Sequence, residues 1–216
     1  MFGPCEDNLT DRRFYRVADG HGLPHDPFKA IVGPRPIGWI SSRSLAGVAN
    51  LAPFSFFNAL SSNPPIIGFS SDGWKDTVQN ISETREFGWN LATASLARAM
   101  NESSATVPPE VDEFDLAGLR PTEGLVTKAP LVAEAPVSFE CKLSEIVRVK
   151  DHQGAASPNW LVIGEVVGVH IDPAFLVDGL YDTAAAAPIL RGGGPGDYFN
   201  VGPDQKFVMF RPKTPA

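Results

Sequence analysis

The segment Ser70-Ser71-Asp72-Gly73-Trp74-Lys75-Asp76-Thr77 joins hydroxyls, a glycine and a lysine where a strand-like apolar run gives way to a helix-like one. Backbone N–H groups in the first turn of a helix have no intrahelical acceptor and form an anion site. Serine and threonine hydroxyls and the compact Lys75 ammonium add donors, so the chemistry suited is phosphate binding. An ordinary strand–turn–helix connection with a solvated lysine uses the same residue types, and spacing alone does not separate the two. The pattern GxxxxGK[ST] is absent, which argues against a nucleoside triphosphatase.

Just upstream, Asn50-Leu51-Ala52-Pro53-Phe54-Ser55-Phe56-Phe57 places aromatic rings beside small polar residues. A flat ring system needs apolar walls and a few donors and acceptors at one edge. Trp39, Phe54, Phe56 and Phe57 could supply walls, and Ser41, Ser42, Asn50, Ser55 and Asn58 the polar edge, although each aromatic taken alone also reads as core. Together the two segments point to a phosphorylated aromatic cofactor, with flavin mononucleotide (FMN) the leading candidate. The four histidines are dispersed and make no metal set. No GxSxG elbow is present, and no side chain is assigned a catalytic role. His170 reads as a strand histidine with one satisfied nitrogen, and Glu165, between apolar neighbours, as a buried charge with a partner.

The elements that must position these residues are mostly strands. Ile37–Ser42, Phe54–Leu60, Ile66–Ser70 and Phe87–Ala92 are short strand-like runs, and Ser44–Asn50 carries Gly47 where a hairpin turn belongs. Val137–Val149 alternates with period two, apolar at odd positions, with Glu145 and Ile146 as exceptions. Trp160–Ile171 is apolar on both parities, which predicts a strand covered on both faces, the outer one by a helix or a second subunit. Lys206–Phe210 reads as a last strand. Helices are predicted over Asp76–Arg85, Ser95–Ala105 and Glu110–Gly118. Without βαβ alternation, a closed antiparallel barrel with peripheral helices is expected over a doubly wound sheet.

Composition sets the outer bounds. At 216 residues with 43% hydrophobic and 20% charged residues, the chain suits one ordinary globular unit. We expect an N-terminal arm over residues 1–27 and a cofactor-binding domain over 28–216. The net charge of −7, with no basic cluster beyond Arg12-Arg13, argues against a nucleic-acid partner. No apolar run reaches the ~20 residues of a membrane span, and Met1–Asp11 has no apolar signal core. Cys5 and Cys141 follow no metal spacing, Cys141 falling on the apolar parity of its strand, so a cytoplasmic setting with a buried free thiol is expected.

Five motifs occur in order: Arg35-Pro36-Ile37-Gly38-Trp39-Ile40-Ser41, the Asn50–Phe57 run, Asn63-Pro64-Pro65, Lys75-Asp76-Thr77 with Asn80-Ile81, and Glu86-Phe87-Gly88-Trp89-Asn90-Leu91. In that combination, over about Pro27–Pro212, the chain resembles the flavin reductase-like family of FMN-binding split barrels. The resemblance implies a mainly β fold, a six-stranded antiparallel split β-barrel of Greek-key type with peripheral helices. It also implies a homodimer, with FMN held non-covalently near the subunit interface. Carried over by motif, Ser41 and Ser42 would lie near the ribityl chain or ring, and Asn50, Ala52, Pro53, Phe54 and Ser55 would line the isoalloxazine. Ser70, Ser71, Lys75 and Thr77 would hold the phosphate, and Arg191 would help shape the open face of the flavin. The Gly-Asp-His element of several reductases is replaced by Gly196-Asp197-Tyr198, after the run Arg191-Gly192-Gly193. Two functions follow: an oxidoreductase passing hydride from NAD(P)H to FMN and electrons on to free flavin, oxygen or another acceptor, a partner monooxygenase being compatible but not indicated, or an FMN storage or electron-relay protein that does not itself oxidise NAD(P)H. A related split barrel binding pyridoxal phosphate or haem is the weaker option.

Overall fold

Alternating apolar residues, punctuated by turns, build a long antiparallel ladder through the middle of the chain. The computed structural model describes residues 12–212, so Cys5 and the start of the expected N-terminal arm lie outside the described residues. After a single helical turn, α1 (Phe28–Ile31), come β1 (Arg35–Pro36), β2 (Gly38–Arg43), β3 (Ala49–Phe54), β4 (Phe57–Ser62) and β5 (Pro65–Asp72). Helix α2 (Asp76–Thr84) leads into β6 (Glu86–Asn90), followed by α3 (Ala97–Glu102), α4 (Glu113–Ala117) and the short β7 (Pro121–Thr122) and β8 (Leu131–Val132). Two long strands, β9 (Val137–Lys150) and β10 (Ala156–Ile171), precede the short β11 (Leu176–Val177), β12 (Leu180–Tyr181), β13 (Ile189–Arg191) and β14 (Tyr198–Asn200). No helix among the described residues is long and apolar enough to cross a membrane.

Seven strands pair in the order β3-β2-β6-β9-β10-β5-β4, one more than the six expected, all antiparallel. The two edges of this ladder, β3 and β4, are consecutive in sequence and joined by Ser55-Phe56, yet are not paired with each other. This is the split of the barrel, and it falls inside the run that the sequence presents as one strand, Phe54–Leu60. The interior is filled by Ile40, Phe69, Phe87, Cys141, Val162 and Val166, closed by Val78 and Ile81 of α2. A second core lies outside β2 and β3, where Trp39 and Leu51 pack on Met100 of α3 and Phe114 of α4. Strand β2 serves both cores because successive side chains point to opposite faces.

The exceptions in the Val137–Val149 pattern have a structural cause. Opposite β10, Glu145 pairs with Ile163 and Leu143 with Gly164, so Ser144 is an extra residue in a β-bulge. Past the bulge the parity inverts: Glu145 is exposed and Ile146 turns to the barrel core. Cys141 is a buried free thiol, its pKa raised by burial and by neighbouring Glu140.

Two expectations are corrected here. Lys206–Phe210 forms no strand; Phe207 and Phe210 are 78% and 86% exposed. Glu165 is exposed, because in β10 it follows the outward parity of Leu161 and Ile163. The buried glutamates among the described residues are Glu113 and Glu140. Among the described residues, the outer face of β10 carries no helix along Val169, which is 56% exposed within the single chain.

Candidate functional site

Helix α2 starts where β5 runs out, and it starts uncapped. Its N-cap residue is Lys75, in extended conformation, whose side chain makes no capping bond. The first-turn N–H groups therefore face outward without a side-chain acceptor, beside a lysine. They open on a cleft of about 290 Å³ whose lining includes Asn50, Ala52, Pro53, Phe54, Lys75 and Thr77. The fold thus brings β3 and the start of α2, which are separated in sequence by β4 and β5, onto one cleft.

A buried polar network fixes this cleft from behind. Asn50 Oδ1 accepts from Ser42 Oγ at 3.0 Å and from Thr77 Oγ1 at 2.8 Å. Asn50 Nδ2 donates to Glu113 Oε2 at 3.0 Å, and the Leu51 N–H donates to the same oxygen at 3.1 Å. Asn80 Nδ2 donates to Ser42 Oγ at 3.3 Å. Every member is satisfied, so the network holds β2, β3, α2 and the start of α4 in one geometry. Burial raises the Glu113 pKa above its ordinary value, against the lowering effect of the Leu51 N–H and Asn50 bonds. Nothing in the sequence pairs Glu113 with Asn50; only the Asp112-Glu113-Phe114 helix start is visible there.

The remaining candidates are distributed around this point. Ser55 and Arg191 line an adjoining cleft of about 700 Å³, which shares Pro53 and Ser104 with the first. Ser41 is fully buried on the opposite face of β2 and accepts from Asn90 Nδ2 at 3.1 Å, away from the cleft. Ser71 is fully buried and donates to the Gly73 carbonyl at 2.9 Å, holding the turn before α2. Ser70 lines a different groove, with Phe56, Phe57 and Leu161. Of the aromatic walls, only Phe54 reaches the cleft, and its ring packs on Phe69 at 4.6 Å in the barrel core. Trp39 is buried in the second core, its Nε1 donating to Ser103 Oγ at 3.0 Å, and Phe57 stacks on Trp89 at 5.8 Å. Strand alternation turns these rings away, so the cleft wall at β3 is largely backbone and small side chains.

The donor set fits a phosphorylated ring. An uncapped helix start with a lysine suits a phosphate, and the backbone of Ala52–Ser55 together with Asn50 suits the polar edge of a ring. Thr77 commits its hydroxyl proton to Asn50, so its contribution toward a phosphate is its backbone N–H.

On the far side of the sheet, Glu140 is fully buried beneath the Gly124–Thr127 loop. Its Oε1 accepts from the Leu125 N–H at 2.8 Å and lies 2.8 Å from His170 Nε2; its Oε2 accepts from the Val126 and Thr127 N–H groups. Burial alone would raise the Glu140 pKa, but the His170 bond and the three backbone N–H bonds outweigh it and bring it down to about 2. His170 is thus a partnered strand histidine, as its sequence context suggests.

Comparison with known proteins is consistent with this geometry. The family described as flavin reductase like domain matches residues 33–185. An uncharacterised protein of Halalkalibacterium halodurans, BH2278, is 35% identical over 211 residues, covering 95% of this chain and 94% of that one. Nitrilotriacetate monooxygenase component B from Bacillus cereus superposes with a TM-score of 0.80 at 29% identity, covering 97% of this chain and 100% of that one. Pseudomonas fluorescens 2-nitrobenzoate 2-nitroreductase NbaA superposes with a TM-score of 0.76 at 27% identity, covering 88% and 91%.

Proposed function

This chain belongs to the flavin reductase-like family, and from that premise we propose that it is an FMN-binding oxidoreductase that takes hydride from NAD(P)H. The observation that carries the reading is the uncapped start of α2 at Lys75, opening on the cleft lined by Asn50 and Ala52–Phe54. Bound FMN would supply the hydride chemistry, accepting two electrons from one ligand and passing them to another. The chain's own task is to bind and orient. Lys75 and the first-turn N–H groups of α2 hold the phosphate, and Asn50, locked by Ser42, Thr77 and Glu113, presents fixed polar atoms. Backbone at Ala52–Ser55 lines the ring, and the larger cleft bounded by Ser55 and Arg191 admits the second substrate. Hydride transfer between stacked rings needs no acid–base side chain, which agrees with a cleft that lacks a histidine among its described lining residues.

We further propose that the molecule works as a homodimer, through the apolar outer face of β10, and that its reduced flavin serves a partner oxygenase. The likeness to a monooxygenase component B supports the second point. One observation favours FMN storage or electron relay instead: Tyr198, where several reductases have histidine, lies beneath the Arg191 guanidinium at 4.8 Å. The absorbance spectrum of the purified protein, before and after anaerobic addition of NADH or NADPH, decides. A flavin band that bleaches rapidly supports the reductase. A band at full FMN occupancy that persists supports the relay, and a protein that takes up no FMN refutes both.

A further inference from the structure

Beside the larger cleft lies another, of about 530 Å³, which shares Ser55, Arg191 and Pro195 with it. Its charge is unusual. Arg35 is only 7% exposed, yet its guanidinium meets no carboxylate among the described residues. It donates to four carbonyls instead: Lys29 and Val32 around α1, Ser55 at the barrel split (3.0 Å) and Gly192 (3.1 Å). Carbonyls satisfy its N–H groups but leave its charge uncompensated, which is costly at such depth.

Directly across the β1–β13 pair, in register with Arg35, stands a second arginine, Arg191. Its guanidinium is fixed by Tyr198 and by donation to the Asp197 and Pro195 carbonyls at 2.9 and 3.0 Å, again with no carboxylate partner among the described residues. The like charge of Arg191 and, more strongly, burial lower the Arg35 pKa. Lys29 lines the same cleft. The acidic neighbours are Asp26, whose Oδ1 caps α1 at the Phe28 N–H (2.9 Å), and Asp197, packed against Gly194. Neither pairs with an arginine.

The turn between the arginine and tyrosine strands completes the cleft. A Cβ on Gly193 would sit 2.0 Å from the Ala30 Cα, so the turn lies flat on α1 with no room for a side chain. Among the described residues the Gly193 and Gly194 amides donate to no backbone acceptor. The Arg191 guanidinium, the uncompensated charge of Arg35 beneath it and a glycine turn whose Gly193 and Gly194 N–H groups meet no backbone acceptor among the described residues together suit a phosphate.

We infer that Arg35, Arg191 and the Gly192–Gly194 turn form a phosphate subsite for a second ligand, separate from the phosphate site at α2. Resting on the proposed function, that ligand is the dinucleotide reductant, whose pyrophosphate sits here while its ring reaches the shared cleft at Ser55. Arg191 is the specificity-determining residue, and Arg35 holds the turn and supplies charge from beneath.

The test is calorimetric titration of inorganic pyrophosphate into FMN-saturated protein. Saturable, salt-sensitive binding is expected, weakened about tenfold or more by Arg191→Gln and less by Lys29→Gln. FMN affinity of Arg191→Gln is measured in parallel by flavin fluorescence. Absence of binding, binding unchanged in Arg191→Gln, or a loss of FMN affinity as large as the loss for pyrophosphate would overturn the subsite. Pyrophosphate should also raise the NAD(P)H concentration needed to bleach the flavin; bleaching indifferent to bound pyrophosphate would overturn the assignment to the reductant. If neither dinucleotide bleaches the flavin, the reductase reading fails, while the pyrophosphate titration still decides the subsite.

Discussion

The Lys75 N-cap and the Glu140 carboxylate show how single residues are set by what their neighbours leave unpaired. Lys75 offers no oxygen to the first turn of α2, so an anion outside the protein is the natural acceptor for those N–H groups. We expect Lys75→Ala to weaken FMN about tenfold, with a much smaller effect on riboflavin, which lacks the phosphate. Equal loss for the two ligands in fluorescence titration would refute a phosphate role for this turn. Glu140 makes a different prediction. Its folded pKa of about 2 lies below the ordinary 4.5, so ionised Glu140 stabilises the fold above pH 4.5. That stability is lost as pH falls from about 4.5 toward about 2. The shift corresponds to about 3 kcal/mol. Glu140→Gln should flatten this acid transition in a series of chemical denaturation curves and cost about 2–4 kcal/mol at neutral pH, because an amide offers one acceptor oxygen where the loop N–H groups use two.

At the scale of elements, β-bulges and glycines decide which side chains enter the barrel. A Cβ on Gly164 would lie 2.3 Å from the buried Phe87 ring and 3.1 Å from the Lys142 carbonyl. Gly164→Ala should therefore destabilise the protein by about 1–3 kcal/mol. Combined with Phe87→Leu it should cost less than the two changes summed, a coupling that a double-mutant cycle of denaturation midpoints would detect. Additive losses would mean that Phe87 is not what the new methyl meets. Strand β9 was legible from period two and β10 as a run apolar on both parities; the misfit of Glu145 and Ile146 found its cause only in the bulge at Ser144. The break at Ser55-Phe56 was not legible, because an unbroken apolar run carries no sign of which strand it will pair with. Lys206–Phe210 failed for the same reason: strand-like residues make a strand only where a ladder partner exists.

For the whole molecule, the outer face of β10 remains the open account. Leu161, Ile163 and Val167 are half-buried there and Val169 is more than half exposed, an apolar strip suited to a second copy. We expect sedimentation at micromolar concentration to give a dimer, shifted toward monomer by Val169→Glu; a monomeric parent protein would contradict this. Family, mainly antiparallel β architecture and the strand–turn–helix at Lys75 could all be read from residue order, because they rest on local patterns and ordered motifs. Only tertiary structure decided that Asn50 is locked by Glu113, that Ser41 and Ser70 lie away from the Lys75 cleft, and that Arg35 and Arg191 stand opposite each other. Those relations join residues distant in sequence, and their partners are chosen by sheet order and register, which no local pattern encodes.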